Sequence, residues 1–115
     1  MKDWLFDIKM WFQKKSRGYS DLELWNLDCT FAEWMLPKLK VFRKKTIGVP
    51  LDFETLEDWQ AALDDMIFAF EFYLRDLPAT DKYYEYIKSE DYGRDLERFE
   101  KGKALFGKYW PHLWW

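Results

Sequence analysis

The sequence predicts an all-α fold, a compact single-domain bundle of four to five helices around a central helix at about 21–45. Three observations predict it. Apolar residues recur at three- and four-residue spacing through most of the chain. Helix-start signatures precede two of these stretches, at Ser20–Glu23 and Thr55–Asp58. No alternating strand pattern, low-complexity segment or internal repeat interrupts them. A length of 115 residues fits one domain, residues 1–115, with room for one core.

The first element spans residues 3–15, where Trp4, Leu5, Ile8, Trp11 and Phe12 form an i, i+1, i+4, i+7, i+8 stripe. Residues 1–17 thus read as an N-terminal amphipathic helix that packs its stripe on the domain, with a break at Ser16–Gly18. A basic, aromatic helix of this kind also suits a membrane surface, against which Asp3 and Asp7 count. Those charges and Lys9 leave no secretory pattern, and no stretch has the length of a membrane span.

The central helix carries two apolar stripes. One runs through Trp25, Cys29, Ala32, Leu36 and Leu39, the other through Leu24, Leu27, Phe31 and Trp34. A helix apolar on two sides is expected to be enclosed by its neighbours. Pro37 removes a backbone donor, so a kink or break is expected near Glu33–Leu36. Ile47–Gly48–Val49–Pro50 stops the helix.

From Thr55, the residues Leu56, Trp59, Leu63, Met66, Phe70, Tyr73 and Leu77 trace one face of a helix to about Arg75, closed by Leu77–Pro78. Tyr83, Tyr84, Tyr86 and Ile87 suit a short helix interrupted around Tyr92–Gly93. A last helix runs from about Arg94 to Tyr109, in which Gly102 and Gly107 mark candidate sites of close helix approach. Pro111 ends it and leaves an aromatic tail, residues 111–115.

Composition narrows the function classes. Aromatics make up 22% of the chain, with eight tryptophans, which suggests a bulky core plus a minority available as a binding face. A single cysteine, Cys29, excludes an internal disulfide, and burial as a free thiol fits a reducing cytoplasm. Net charge is −3, but residues 1–50 hold ten Lys/Arg against six Asp/Glu, and residues 51–115 hold eight against fifteen. A connection of roughly ten residues favours antiparallel neighbours, which would bring Lys38–Lys45 near Asp52–Asp58 and neutralise the asymmetry within the chain.

No catalytic constellation stands out. One Cys and one His, His112, make no zinc motif or nucleophilic triad, and no phosphate-cradling glycine loop occurs. Helical pyrophosphohydrolases hold magnesium through E-x-x-E followed by E-x-x-D. Glu54/Glu57 and Glu97/Glu100 give the first spacing, and the second is absent. The acids better placed for a site are Asp28, read as facing the interior of the central helix, together with Asp64 and Glu71. They form either a polar core anchor or a carboxylate-lined pocket for a small ligand or metal. A basic patch of Lys38, Lys40, Arg43, Lys44 and Lys45 offers nucleic-acid binding, against which stand the acidic pI and the lack of a reading motif.

The runs GYSDLELWNLDCTFAEWMLPKLKVFR, TLEDWQAALDDMIFAFE and ERFEKGKALFGKYWPHLWW carry a further pattern. With Trp25, Asp28, Ala32, Pro37, Trp59, Asp64, Met66, Phe106, Tyr109 and Trp114 in register, the chain resembles a family of small uncharacterised tailed-bacteriophage proteins. Lys101–Gly102 stands where that family has an acidic residue before glycine, and Trp115 where an acid is usual. The resemblance implies a viral source and the host cytoplasm, and brings no activity or cofactor. The function expected from the whole is non-enzymatic protein binding, in a host-takeover, anti-defence or phage accessory role. Trp4, Trp11, Trp110, Trp114 and Trp115 are the candidate interaction surface, with a homo-oligomer as one arrangement of it.

Overall fold

A computed structural model describes residues 4–75 and 80–114. Leu77, Pro78 and Trp115 of the expectations above lie outside the described residues. Six α-helices follow in order: α1 (Trp4–Arg17), α2 (Asp21–Trp25), α3 (Leu27–Lys45), α4 (Leu56–Tyr73), α5 (Asp81–Ile87) and α6 (Glu90–Tyr109). A 3₁₀ turn, Trp110–His112, ends the series, and the described residues contain no strand. The all-α expectation holds, with the expected central helix divided in two. By internal contacts the chain falls into two compact units, before and after the Phe31–Ala32 bond.

The first unit holds α1, α2 and the opening turn of α3. α1 ends at Gly18, whose φ of 86° is left-handed and whose N–H reaches the Lys14 carbonyl at 2.9 Å. The Ser20–Glu23 capping box forms as expected. Ser20 Oγ accepts from Glu23 N at 3.3 Å, and Glu23 Oε2 accepts from Ser20 N at 2.8 Å. α1 meets α2 through Gln13, Lys14 and Arg17, which reach Asp21 and Glu23 over 2.6 to 2.8 Å. Lys14 and the Ser20 N–H hold the Glu23 carboxyl below its usual range, and Gln13 and Arg17 do the same for Asp21. The side of α1 turned to α2 is thus polar. Its aromatic stripe, Trp4, Leu5, Ile8, Trp11 and Phe12, stands exposed.

In the same unit the break falls at Asn26, with φ −123° and ψ 44°, between α2 and α3. Pro37 lies inside α3, which continues through it, so the expected break near Glu33–Leu36 is corrected. The enclosed central helix is corrected too. α3 buries only Ala32 and Leu39, while Leu24, Trp25, Leu27, Phe31 and Trp34 are exposed. Asp28 is likewise exposed and Cys29 only half-buried.

The core of the second unit is organised by α4, which buries Trp59, Ala62, Leu63, Met66 and Ala69. Its start is as expected: Thr55 Oγ1 accepts from Asp58 N at 3.1 Å. Leu39 of α3 and Tyr109 of α6 complete a buried cluster with α4, surrounded by Met35, Phe42, Phe53, Phe70, Phe106 and Leu113. Full burial of Leu39, Trp59, Leu63 and Met66 contributes about 1.5–3 kcal/mol each. Phe53, Trp59 and Tyr109 form a ring triangle with centroids 5.1 to 5.7 Å apart, and Phe70 meets Phe106 edge-on at 5.1 Å.

α6 approaches α4 at Gly102. A Cβ there would lie 2.2 Å from the Asp65 carbonyl oxygen and 2.7 Å from Ala69 Cβ. Gly107, the other candidate, faces open space. Arg98 Nε and Lys101 Nζ flank the contact and reach Asp65 at 2.9 and 3.3 Å. The interruption expected at Tyr92–Gly93 falls instead at Lys88–Ser89. Ser89 caps α6 by accepting from Tyr92 N, and Gly93 is helical. Beyond the C-terminal end of α4, Arg75 NH1 donates to Tyr86 Oη at 2.9 Å, and that hydroxyl donates to Asp95 Oδ2 at 2.5 Å.

Two outcomes follow for stability. Gly102→Ala must push helix backbones apart and is expected to destabilise by about 1–3 kcal/mol, while Gly107→Ala gains up to about 1 kcal/mol in helix propensity. Thermal midpoints moving in opposite directions check this. Partial burial, then Asp95, hold the Tyr86 phenol above its usual 10.0, with Arg75 opposing. A raised folded-state value means this contribution is complete below pH 10 and is lost as pH rises through that value. Urea midpoints followed upward from about pH 9 should therefore fall less steeply in Tyr86→Phe than in the parent.

Candidate functional site

Of the seven described tryptophans, only Trp59 is buried, at 1% exposure. Composition suggests a bulky aromatic core, and phenylalanine and tyrosine rather than tryptophan make most of its ring contacts. Where the remaining tryptophans gather decides the candidate site.

In the second unit a groove of about 600 Å³ opens between α3 and the C-terminal segment. Trp34, Met35, Pro37, Lys38, Leu39, Val41 and Phe42 line it from α3, and Leu113 and Trp114 from the far side. The α3 wall follows from helical spacing. Met35, Leu39 and Phe42 turn into the core, while Trp34, Lys38 and Val41 lie on the exposed side. Pro37 deprives the Glu33 carbonyl of its intrahelical donor and sits on the lining. One residue on, Lys38 Nζ donates to the Trp34 carbonyl at 3.1 Å and stands 4.0 Å from the Trp34 ring centre. That cation–π contact fixes the indole without covering it.

The opposite wall is anchored from below. Tyr109 Oη donates to Asp52 Oδ2 at 2.8 Å, and the 3₁₀ turn closes with Leu113 N on the Trp110 carbonyl at 3.2 Å. Leu113 packs on the core, so the next residue is carried outward. Trp114 is 75% exposed, Trp110 is 60% exposed, and Trp34 faces the groove at 56%. Lys38 is the one charged side chain among the described residues lining the groove.

Of the expected interaction surface, Trp114 lines this groove and Trp110 stands exposed on the preceding turn. Trp4 and Trp11 are exposed on α1, Trp11 edge-on to Phe12 at 4.9 Å. Trp34 was missed by sequence reasoning, which assigned it to a buried stripe. The available signal was its spacing from Lys38 and Val41, a row interspersed with charge.

The basic patch divides. Arg43 makes two hydrogen bonds to Asp64, at 2.5 and 3.1 Å, and Lys40 reaches Glu71 at 3.0 Å. The bond to Asp64 holds the Arg43 guanidinium above its usual value. Rising numbers on α3 meet falling numbers on α4, as antiparallel helices require. The partners are Asp64 and Glu71 rather than the expected Asp52–Asp58, because the connection carries the start of α4 past the end of α3. Asp52 serves Tyr109 and Lys108 instead. Lys38, Lys44 and Lys45 lie on exposed positions. Among the described residues no group of three His, Cys, Asp or Glu side chains gathers as a metal site would require. No helix of the described residues is long and apolar enough to cross a membrane.

No family model matches the chain, and neither the curated proteins nor the solved structures give a match.

If the groove is surface held ready for contact, its aromatic wall adds little to folding. Trp114→Ala is expected to change unfolding free energy by less than about 0.5 kcal/mol, against about 3–5 kcal/mol for Trp59→Ala. Urea denaturation of the two variants measures the contrast.

Proposed function

We propose that this chain is a phage-encoded, non-enzymatic helical protein that works in the host cytoplasm by binding another protein. The partner belongs to the host, in a takeover or anti-defence role, or to the phage, with this chain as an accessory. One observation carries the reading: Trp34, Val41 and Trp114 surround an open apolar groove and remain largely in water. Interface hot spots are enriched in tryptophan because a rigid, broad ring releases much water on burial and loses few rotamers. The acids once grouped as a pocket support the alternative less, since Asp64 and Glu71 serve as ion-pair partners for α3.

Affinity capture from infected cells tests the proposal, with tagged parent, Trp34→Ala/Trp114→Ala and Trp4→Ala compared side by side. The expected result is a protein that co-purifies with the parent and with Trp4→Ala and falls about tenfold or more with the groove variant. Capture indifferent to Trp34 and Trp114 would overturn the groove as the binding site.

A further inference from the structure

We infer that the groove is built for an acidic amphipathic helix. This rests on the protein-binding reading above and names the chemistry of the partner. The first argument is charge. Trp34, Lys38 and Val41 follow one another along α3 at intervals of four and three, so one exposed row sets a positive side chain between two apolar ones. Lys40 and Arg43, on the side of α3 turned to α4, are matched by Glu71 and Asp64. No acid is found among the described lining residues, so the charge presented at the groove is positive.

The second argument concerns backbone. The groove is walled by side chains of a helix and of the two residues that follow the 3₁₀ turn, and offers no sheet edge among the described residues. An extended peptide laid there would leave its N–H and C=O groups against apolar carbon. A helix satisfies them internally, and offers apolar side chains at three- and four-residue spacing to Trp34, Val41 and Trp114. Carboxylates flanking that apolar face would meet Lys38. A second copy of this groove carries the same lysine, so groove-to-groove pairing sets Lys38 against its like.

The test uses the full chain and labelled synthetic helices of about five turns. One peptide has leucines on one face and glutamates on the other, a second replaces each glutamate by lysine, and a third scrambles the order of the first. Anisotropy should show the acidic amphipathic peptide binding, with the lysine and scrambled peptides at least about tenfold weaker. Lys38→Glu should weaken it about fivefold, and added salt should weaken it further, while Lys82→Glu on α5 leaves it unchanged. Circular dichroism melts of each variant separate lost binding from lost folding.

Equal or tighter binding of the lysine peptide overturns the acidic partner and leaves the groove reading standing. Peptide binding that survives Trp34→Ala/Trp114→Ala overturns both. If no peptide binds while cellular capture still depends on Trp34 and Trp114, the acidic-helix inference falls alone. Sedimentation showing a dimer that Trp114→Ala dissolves would instead make a second copy the occupant and overturn the inference.

Discussion

At Gly102 the backbone of α6 lies against Asp65 and Ala69 of α4, closely enough that no side chain fits between them. This approach sets the register of the second unit. It places Tyr109 at the end of α6 against Phe53 and Trp59, and the 3₁₀ turn beyond it then delivers Leu113 to the core and Trp114 to the groove. Arg98 and Lys101 converge on Asp65 beside the same contact. One missing side chain thus governs where the C-terminal aromatics stand.

Two helix starts were legible because capping is local chemistry. Ser20 and Thr55 needed only the residue three places on to be recognised. The apolar face of α4 was legible from spacing, and of the two helical glycines marked for close approach Gly102 meets α4. The partition of burial between α3 and α4 was not. Leu27, Phe31 and Trp34 repeat as regularly as Leu63, Met66 and Phe70, and spacing records that a face is apolar without recording what covers it. The fate of Pro37 was misjudged for a related reason. Its cost to a helix is one hydrogen bond and a steric clash, which burial of Leu39 on the core side can offset.

Charge was legible in outline. A basic α3 and an acidic α4 implied antiparallel neighbours, yet the partners are Asp64 and Glu71 in the body of α4. Loop length bounds such pairing without fixing its offset. The offset matters, because it uses Lys40 and Arg43 to join helices while Lys38 stands on the groove. Asp28 shows the opposite error: an acid amid apolar letters was read as interior, and it is exposed.

The distribution of indoles has an optical consequence. Tryptophan emission follows the polarity around the ring, and six of the seven described indoles already stand in water. Unfolding changes the surroundings of Trp59 and few others, so the intrinsic emission of this chain is a poor gauge of its folding. Coverage of Trp34 and Trp114 moves two rings from water into a dry contact at once. The chain carries its own reporter, tuned to occupancy rather than to denaturation.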